Sequence, residues 1–173
     1  MRYMIDTCIV SFIVDGCKFS PVVDDILNNY NNQFFVSVET LKELVVMYRR
    51  KRMFNKKYKS ERDLICAISE VYGLQIIPTT EQVMLAYADL QLNESEDHND
   101  PSDHVIISHA IVERMPLISS DRKFHYYKNQ GLDFIIMSDE VILSVAKDFQ
   151  SIFEGIGKSS LIEETVMELT PTA

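Results

Sequence analysis

Short apolar runs alternating with amphipathic stretches set the layout of this chain. Tyr3-Met4-Ile5, Gln33 to Val38 (QFFVSV), Leu74 to Pro78 (LQIIP), Leu117 to Ser119 and Asp133 to Met137 (DFIIM) are too short for helices and have the length of buried strands. Helical patterns separate them. One begins at Ile9 to Val14 and is interrupted at Gly16; another starts at Ser20-Pro21, with Ser as cap and Pro at the first helical position, and runs to about Tyr30. Val38 to Tyr48 forms a third helix. Tyr58 to Val71, with Leu64, Ile65, Ile68 and Val71 on one face, forms a fourth that stops at Gly73. Glu81 to Leu92 and Pro101 to Arg114 follow, split by a polar, acidic loop from Asn93 to Asp100. This alternation predicts an α/β fold: a single domain over residues 1–138, with a mostly parallel central sheet of about four or five strands and helices on both faces. Residues 139–173 read as a helical C-terminal extension. In it Val141, Val145, Phe149 and Ile152 share a face, Gly155 and Gly157 break the pattern, and Leu161 to Leu169 precedes a disordered tail.

Charge narrows the function classes. Lys and Arg total 17 against 26 Asp and Glu, a net charge of −9, which argues against a protein that simply coats nucleic acid. The positive charge is nevertheless concentrated: Arg49, Arg50, Lys51, Arg52, Lys56, Lys57, Lys59 and Arg62 lie within one stretch, interleaved with Phe54 and Tyr58. Such a stretch suits a phosphate backbone, with the aromatics as stacking surfaces, although a solvated surface gives the same pattern. Three cysteines without a C-x-x-C pair predict reduced thiols in a cytoplasmic protein and no zinc site. No apolar run approaches the roughly 20 residues needed to cross a bilayer, and no signal peptide is visible.

The candidate chemistry lies in four acids. Asp6 ends the first apolar run, and the carboxyl end of a central strand is where open α/β sheets place their ligand crevice. Asp121 follows Leu117 to Ser120 in the same way. Glu43 sits on a helix whose Val46 and Met47 neighbours are apolar, so its carboxylate is partly desolvated. Asp103 leads the stripe Ile106, Ile107, Ala110 and Ile111 from the first turn of its helix, behind Asp100 as cap and Pro101. Taken singly, each acid reads equally as a turn residue, a cap or half of a salt bridge. Taken together near one sheet edge they read as ligands for a divalent cation. Thr7 and Ser119 offer hydroxyls to orient them, with Asp100 nearby as a third supporting residue. His98, His104, His109 and His125 have no metal spacing; His98 and His104, beside the acidic loop, read as solvated surface residues, with His104 a candidate for RNA contact.

The segments Tyr3-Met4-Ile5-Asp6-Thr7-Cys8, Ser37 to Leu44, Asp100 to Ile107 and Leu117 to Asp121 together resemble a PIN domain, most closely the VapC-type ribonuclease toxins of toxin–antitoxin pairs. The resemblance covers roughly residues 1–138. It implies metal-binding and catalytic carboxylates at Asp6, Glu43, Asp103 and Asp121. It also implies Mg²⁺ or Mn²⁺ as cofactor, RNA as substrate, a cognate antitoxin as partner, and a homodimer. One departure is His104, where these toxins often carry Arg. An all-oxygen acidic set independently favours a hard cation such as Mg²⁺ or Mn²⁺.

Two rivals remain: a PIN-like nucleic-acid- or protein-binding module without catalysis, and a Mg²⁺-dependent phosphatase on a similar sheet. The phosphatase pattern wants a second Asp two residues after the first, where Cys8 stands. A phosphoacceptor receiver wants an Asp at the end of the third strand, where Pro78-Thr79-Thr80 stands. The phosphodiester hydrolase is the expectation to test.

Overall fold

The computed structural model describes residues 1–51, 54 and 57–137; the extension expected over 139–173 lies outside them. Five parallel strands form one sheet in the order β3-β2-β1-β4-β5. They are β1 (Arg2–Ile5), β2 (Gln33–Ser37), β3 (Gln75–Ile77), β4 (Leu117–Ser119) and β5 (Phe134–Ile136). Register is fixed by pairs such as Met4 with Phe35 and Met4 with Leu117. Among the described residues six α-helices pack around the sheet: α1 (Thr7–Asp15), α2 (Pro21–Leu27), α3 (Val38–Lys51), α4 (Glu61–Glu70), α5 (Glu81–Asp89) and α6 (Pro101–Glu113). A 3-10 helix over Arg122–Gln130 joins β4 to β5.

The alternation of side chains along each strand divides the core in two. Tyr3, Ile5, Val36 and Ile118 point to the face covered by α1 and α3, where they meet Ile9, Val10, Leu44, Leu64 and Ile68. Met4, Phe35, Leu117 and Phe134 point to the other face and meet Ile106, Ile107 and Ala110 of α6 with Phe124 and Tyr127 of the 3-10 helix. Both faces are covered, as the near-continuous apolar strands require.

Local chemistry sets the element ends. Gly16, at φ 72°, takes the left-handed position after α1, and the Gly16 and Cys17 amides close on the Ile13 and Phe12 carbonyls. Ser60, Thr80 and Asp100 cap α4, α5 and α6 with their side-chain oxygens. The structure departs from the sequence pattern in two notable places. α4 starts at Glu61 rather than Tyr58, because Ser60 is the cap. The 3-10 helix has no counterpart in the pattern, its sequence being polar and without an apolar repeat.

Strand order matters for function. Going outward from β1, the chain runs to β2 and β3 on one side and to β4 and β5 on the other. The direction of winding reverses between β1 and β4, which opens a crevice at their carboxyl ends. Asp6 follows β1 there, and Asp121 lies two residues beyond β4.

Candidate metal centre

Asp6 is the N-cap of α1 and is 4% exposed. Its Oδ1 accepts from the Thr7 amide at 2.7 Å; its Oδ2 accepts from the Ser119 hydroxyl at 2.6 Å and from the Cys8 thiol at 3.1 Å. Burial pushes the Asp6 carboxyl up, the three hydrogen bonds pull it down, and the negative charge of Asp121 pushes it up further. The Ser119 hydroxyl also accepts from the Asp121 amide at 3.0 Å, so one buried serine ties the two strand-end acids together. Asp121 in turn caps the 3-10 helix, accepting from the Lys123 amide at 2.8 Å.

Glu43 arrives from α3, and its Oε2 accepts a short hydrogen bond from the Thr7 hydroxyl. Its pKa is pushed up to about 7, first by burial and then by the charges of Asp103, Asp6 and Asp100, against the pull of Thr7. Asp103, in the first turn of α6, is pushed up to about 8 by burial and by Asp6, Asp100 and Asp121, with Lys123 opposing. Its Oδ2 lies 3.0 Å from His98 Nε2.

The geometry brings the acids together in two overlapping sets. Ligand atoms of His98, Asp103 and Asp121 lie within 4.8 Å of one another, and so do carboxylate oxygens of Glu43, Asp100 and Asp103. Asp103 belongs to both. Asp6 belongs to neither: it joins the cluster through Thr7 and Ser119 and through its charge. Among the described residues, no lysine or arginine forms an ion pair with Asp6, Glu43, Asp103 or Asp121. Carboxylates crowded in a partly desolvated crevice repel one another unless protons or a cation intervene. The oxygen donor set therefore fits a hard divalent ion.

Other expected contacts fall elsewhere. His98 and His104 are not surface residues: they are 3% and 2% exposed, drawn inward by hydrogen bonds to Tyr127. His104 is thus enclosed and presents no surface for RNA. Burial pushes both imidazoles down from their usual range. Phe54 is a core residue and the Tyr58 hydroxyl bonds that of Tyr72 at 2.6 Å, so neither ring is a free stacking platform. Lys57 donates to the Val14 carbonyl at the end of α1, at 2.6 Å, where a cation also suits the helix dipole. Arg49 is exposed and pairs with Glu61 at 2.9 Å, and Arg50 is exposed. Arg52, Lys56 and the side chain of Lys51 lie outside the described residues. His98, which the sequence pattern reads as a surface residue, contacts Asp103 directly, and Tyr127, which the pattern does not single out, holds His98 in place; no local signal marks either role.

The PIN domain family model matches residues 3–130, which carry all four acids. The chain belongs to the PIN domain family. No curated protein matches it significantly. Solved structures similar to it include VapBC2 from Rickettsia felis bound to a DNA fragment from their promoter, at 24% identity and TM-score 0.62, covering 80% of this chain and 100% of that one. VapBC-1 from nontypeable Haemophilus influenzae matches at 21% identity and TM-score 0.56, covering 79% and 98%. VapBC-5 from Mycobacterium tuberculosis, a member of the VapBC family of toxin-antitoxin systems, matches at 18% identity and TM-score 0.52, covering 78% and 96%. These likenesses establish the shared PIN fold.

Proposed function

We propose that this PIN domain is a Mg²⁺- or Mn²⁺-dependent endoribonuclease and the toxin of a toxin–antitoxin pair, held in check by a cognate antitoxin and acting as a homodimer in the cytoplasm. The observation that carries the catalytic half is the meeting of two acidic sets at Asp103, one with Asp121 and one with Glu43 and Asp100, with Asp6 behind them at the sheet's switch point and, among the described residues, no lysine or arginine paired to Asp6, Glu43, Asp103 or Asp121. The partner half rests on likeness to chains from VapBC complexes.

Asp103 and Asp121 would hold the ion, with Glu43 and Asp100 offering further oxygens. When bound, the ion polarises a scissile phosphate oxygen and lowers the pKa of water beside it. Thr7 and Ser119 hold the carboxylates of Glu43 and Asp6 in fixed orientations, so the site is assembled before substrate arrives. In the metal-free chain, the raised pKa values of Glu43 and Asp103 keep protons on the cluster near neutral pH and soften its repulsion of RNA. Arg49 and Arg50, exposed on α3, lie on the element that carries Glu43 and supply positive charge for the phosphate backbone.

The test is cleavage of structured RNA by the purified chain with Mg²⁺ or Mn²⁺, with chelator, and with an Asp6→Asn variant. Cleavage that requires the ion and is lost in the variant supports the reading. Cleavage that survives both, or none under any condition, overturns it.

A further inference from the structure

Beneath Asp103 lies a closed set of polar contacts that the proposed reaction does not use. His104 Nε2 stands 3.1 Å from the backbone carbonyl of His98 and 3.1 Å from the Tyr127 hydroxyl. A carbonyl only accepts, so His104 Nε2 carries a proton and donates. The Asn93 amide also donates to Tyr127 Oη, at 3.4 Å. With two donors directed at its oxygen, the Tyr127 hydroxyl proton has one acceptor among these contacts: His98 Nδ1, at 2.8 Å. A His98 Nδ1 that accepts is unprotonated, which places the ring's proton on Nε2. That N–H donates to Asp103 Oδ2 at 3.0 Å, so a proton held by Asp103 in the metal-free chain sits on Oδ1. The whole chain of donation runs one way, from His104 through Tyr127 and His98 to Asp103. All three rings are buried and packed on one another, His98 against His104 at 4.9 Å and against Tyr127 at 5.6 Å between ring centres, so none is free to turn over.

We propose that His98 is a positioning residue for Asp103, locked by Tyr127 and His104 into the Nε2–H tautomer, so that it orients the carboxylate and is barred from ligating the ion itself. A ring nitrogen of His98 lies within 4.8 Å of oxygens of both Asp103 and Asp121, close enough to be mistaken for a ligand. The parity of the hydrogen bonds assigns it the opposite role. The centre is then oxygen-only, and its preference between Mg²⁺ and Mn²⁺ owes nothing to a nitrogen donor. This inference rests on the metal reading above, but the tautomer can be measured without any ion.

Two-bond ¹H–¹⁵N correlation spectra of the metal-free wild-type chain read the tautomer directly. The Nε2–H form of His98 is expected, with Nδ1 bare; the Nδ1–H form overturns the proposal. Binding of Mg²⁺ and of Mn²⁺ is then compared in wild type, His98→Leu and His98→Gln. Loss of an orienting partner weakens metal affinity about 10- to 100-fold. The leucine variant should lose that factor for both ions alike, and glutamine, whose amide can donate from nearly the same place, should recover most of it. A loss confined to Mn²⁺, or coupling to a histidine nitrogen in the Mn²⁺ electron-spin-echo spectrum of wild type, would make His98 a ligand and overturn the proposal. Wild type that binds neither ion overturns the metal reading and, with it, the role of His98 toward the ion; tight wild-type binding with the Nδ1–H tautomer overturns this inference alone.

Discussion

Replacing Asp103 with asparagine removes a charge while keeping the shape of the side chain and an oxygen to accept from His98. In the metal-free fold the Asp103 pKa stands at about 8 against an ordinary 3.8, so the folded chain holds a proton that the unfolded chain has released. Between those values the native state binds more protons than the unfolded state, and stability falls as pH rises. A tenfold change in acidity corresponds to about 1.4 kcal/mol, which sets an upper bound of roughly 6 kcal/mol at pH 8. One fifth of the side chain is open to solvent, and screening there reduces the expected cost to about 2–3 kcal/mol. Asp103→Asn should therefore be more stable than wild type at pH 8 by that amount, without metal. The advantage should shrink steadily toward pH 4. For a chain of this size the gain corresponds to a Tm rise of roughly 4–10 °C. Thermal melts in chelator across pH 4 to 8.5 measure it. Saturating Mn²⁺ at 100 times its Kd should then stabilise wild type by about 2.7 kcal/mol and leave the variant nearly unmoved. An asparagine variant less stable than wild type at pH 8 in chelator would refute the claim that uncompensated carboxylates crowd this crevice.

Three further outcomes follow from the same geometry. Because Glu43 and Asp103 titrate near 7 and 8 in the metal-free chain, ion binding at pH 7 should release about one to two protons and tighten as pH rises to 8.5; calorimetry in buffers of different ionisation enthalpy reads this, and a buffer-independent heat would contradict it. Thr7→Val removes the donor to Glu43 and should weaken Mn²⁺ binding about tenfold while costing about 1 kcal/mol of stability, as read by titration and urea unfolding; unchanged affinity would make that hydrogen bond irrelevant to the site. Neutralising Arg49 and Arg50 together should weaken RNA binding and lower the slope of log affinity against log salt by about 0.7 for each phosphate left without its cation, whereas an unchanged slope would make them ordinary surface.

The fold is legible in the sequence because its signals are local and repeated. Strands of three to five residues, each apolar on both faces, alternate with helices whose caps are Ser, Thr or Asp. Asp100 and Pro101 mark the start of α6, and the stripe from Asp103 to Ile111 points that acid inward. The strand order is not legible, since it depends on which crossover passes over which face. The 3-10 helix over Arg122–Gln130 leaves no periodic trace, because Phe124 and Tyr127 are its only buried side chains.

The two buried histidines show what composition conceals. His98 sits among Asn93, Glu94, Glu96 and Asp97, and such a loop signals solvent; its burial is decided by Tyr127, 29 residues away. The basic stretch misleads in the same way. Its charges are real, yet Phe54 fills the first core cluster and Lys57 closes the end of α1, tasks visible only once α4 packs beside them. Of the acids, Asp6 carries the same strand-end signal as Asp121. The structure instead gives both of its oxygens to Thr7, Ser119 and Cys8 and brings Asp103 to the centre of both oxygen sets.

Whether these acids hold a cation can be seen in crystals of the full chain grown with Mn²⁺ and measured at a wavelength giving manganese anomalous signal. A manganese peak is expected in the crevice between β1 and β4, in contact with oxygens of Asp103 and Asp121, and it should disappear in Asp103→Asn. A wild-type map with no peak there at saturating Mn²⁺, or a peak that persists unchanged in the variant, would contradict the metal reading.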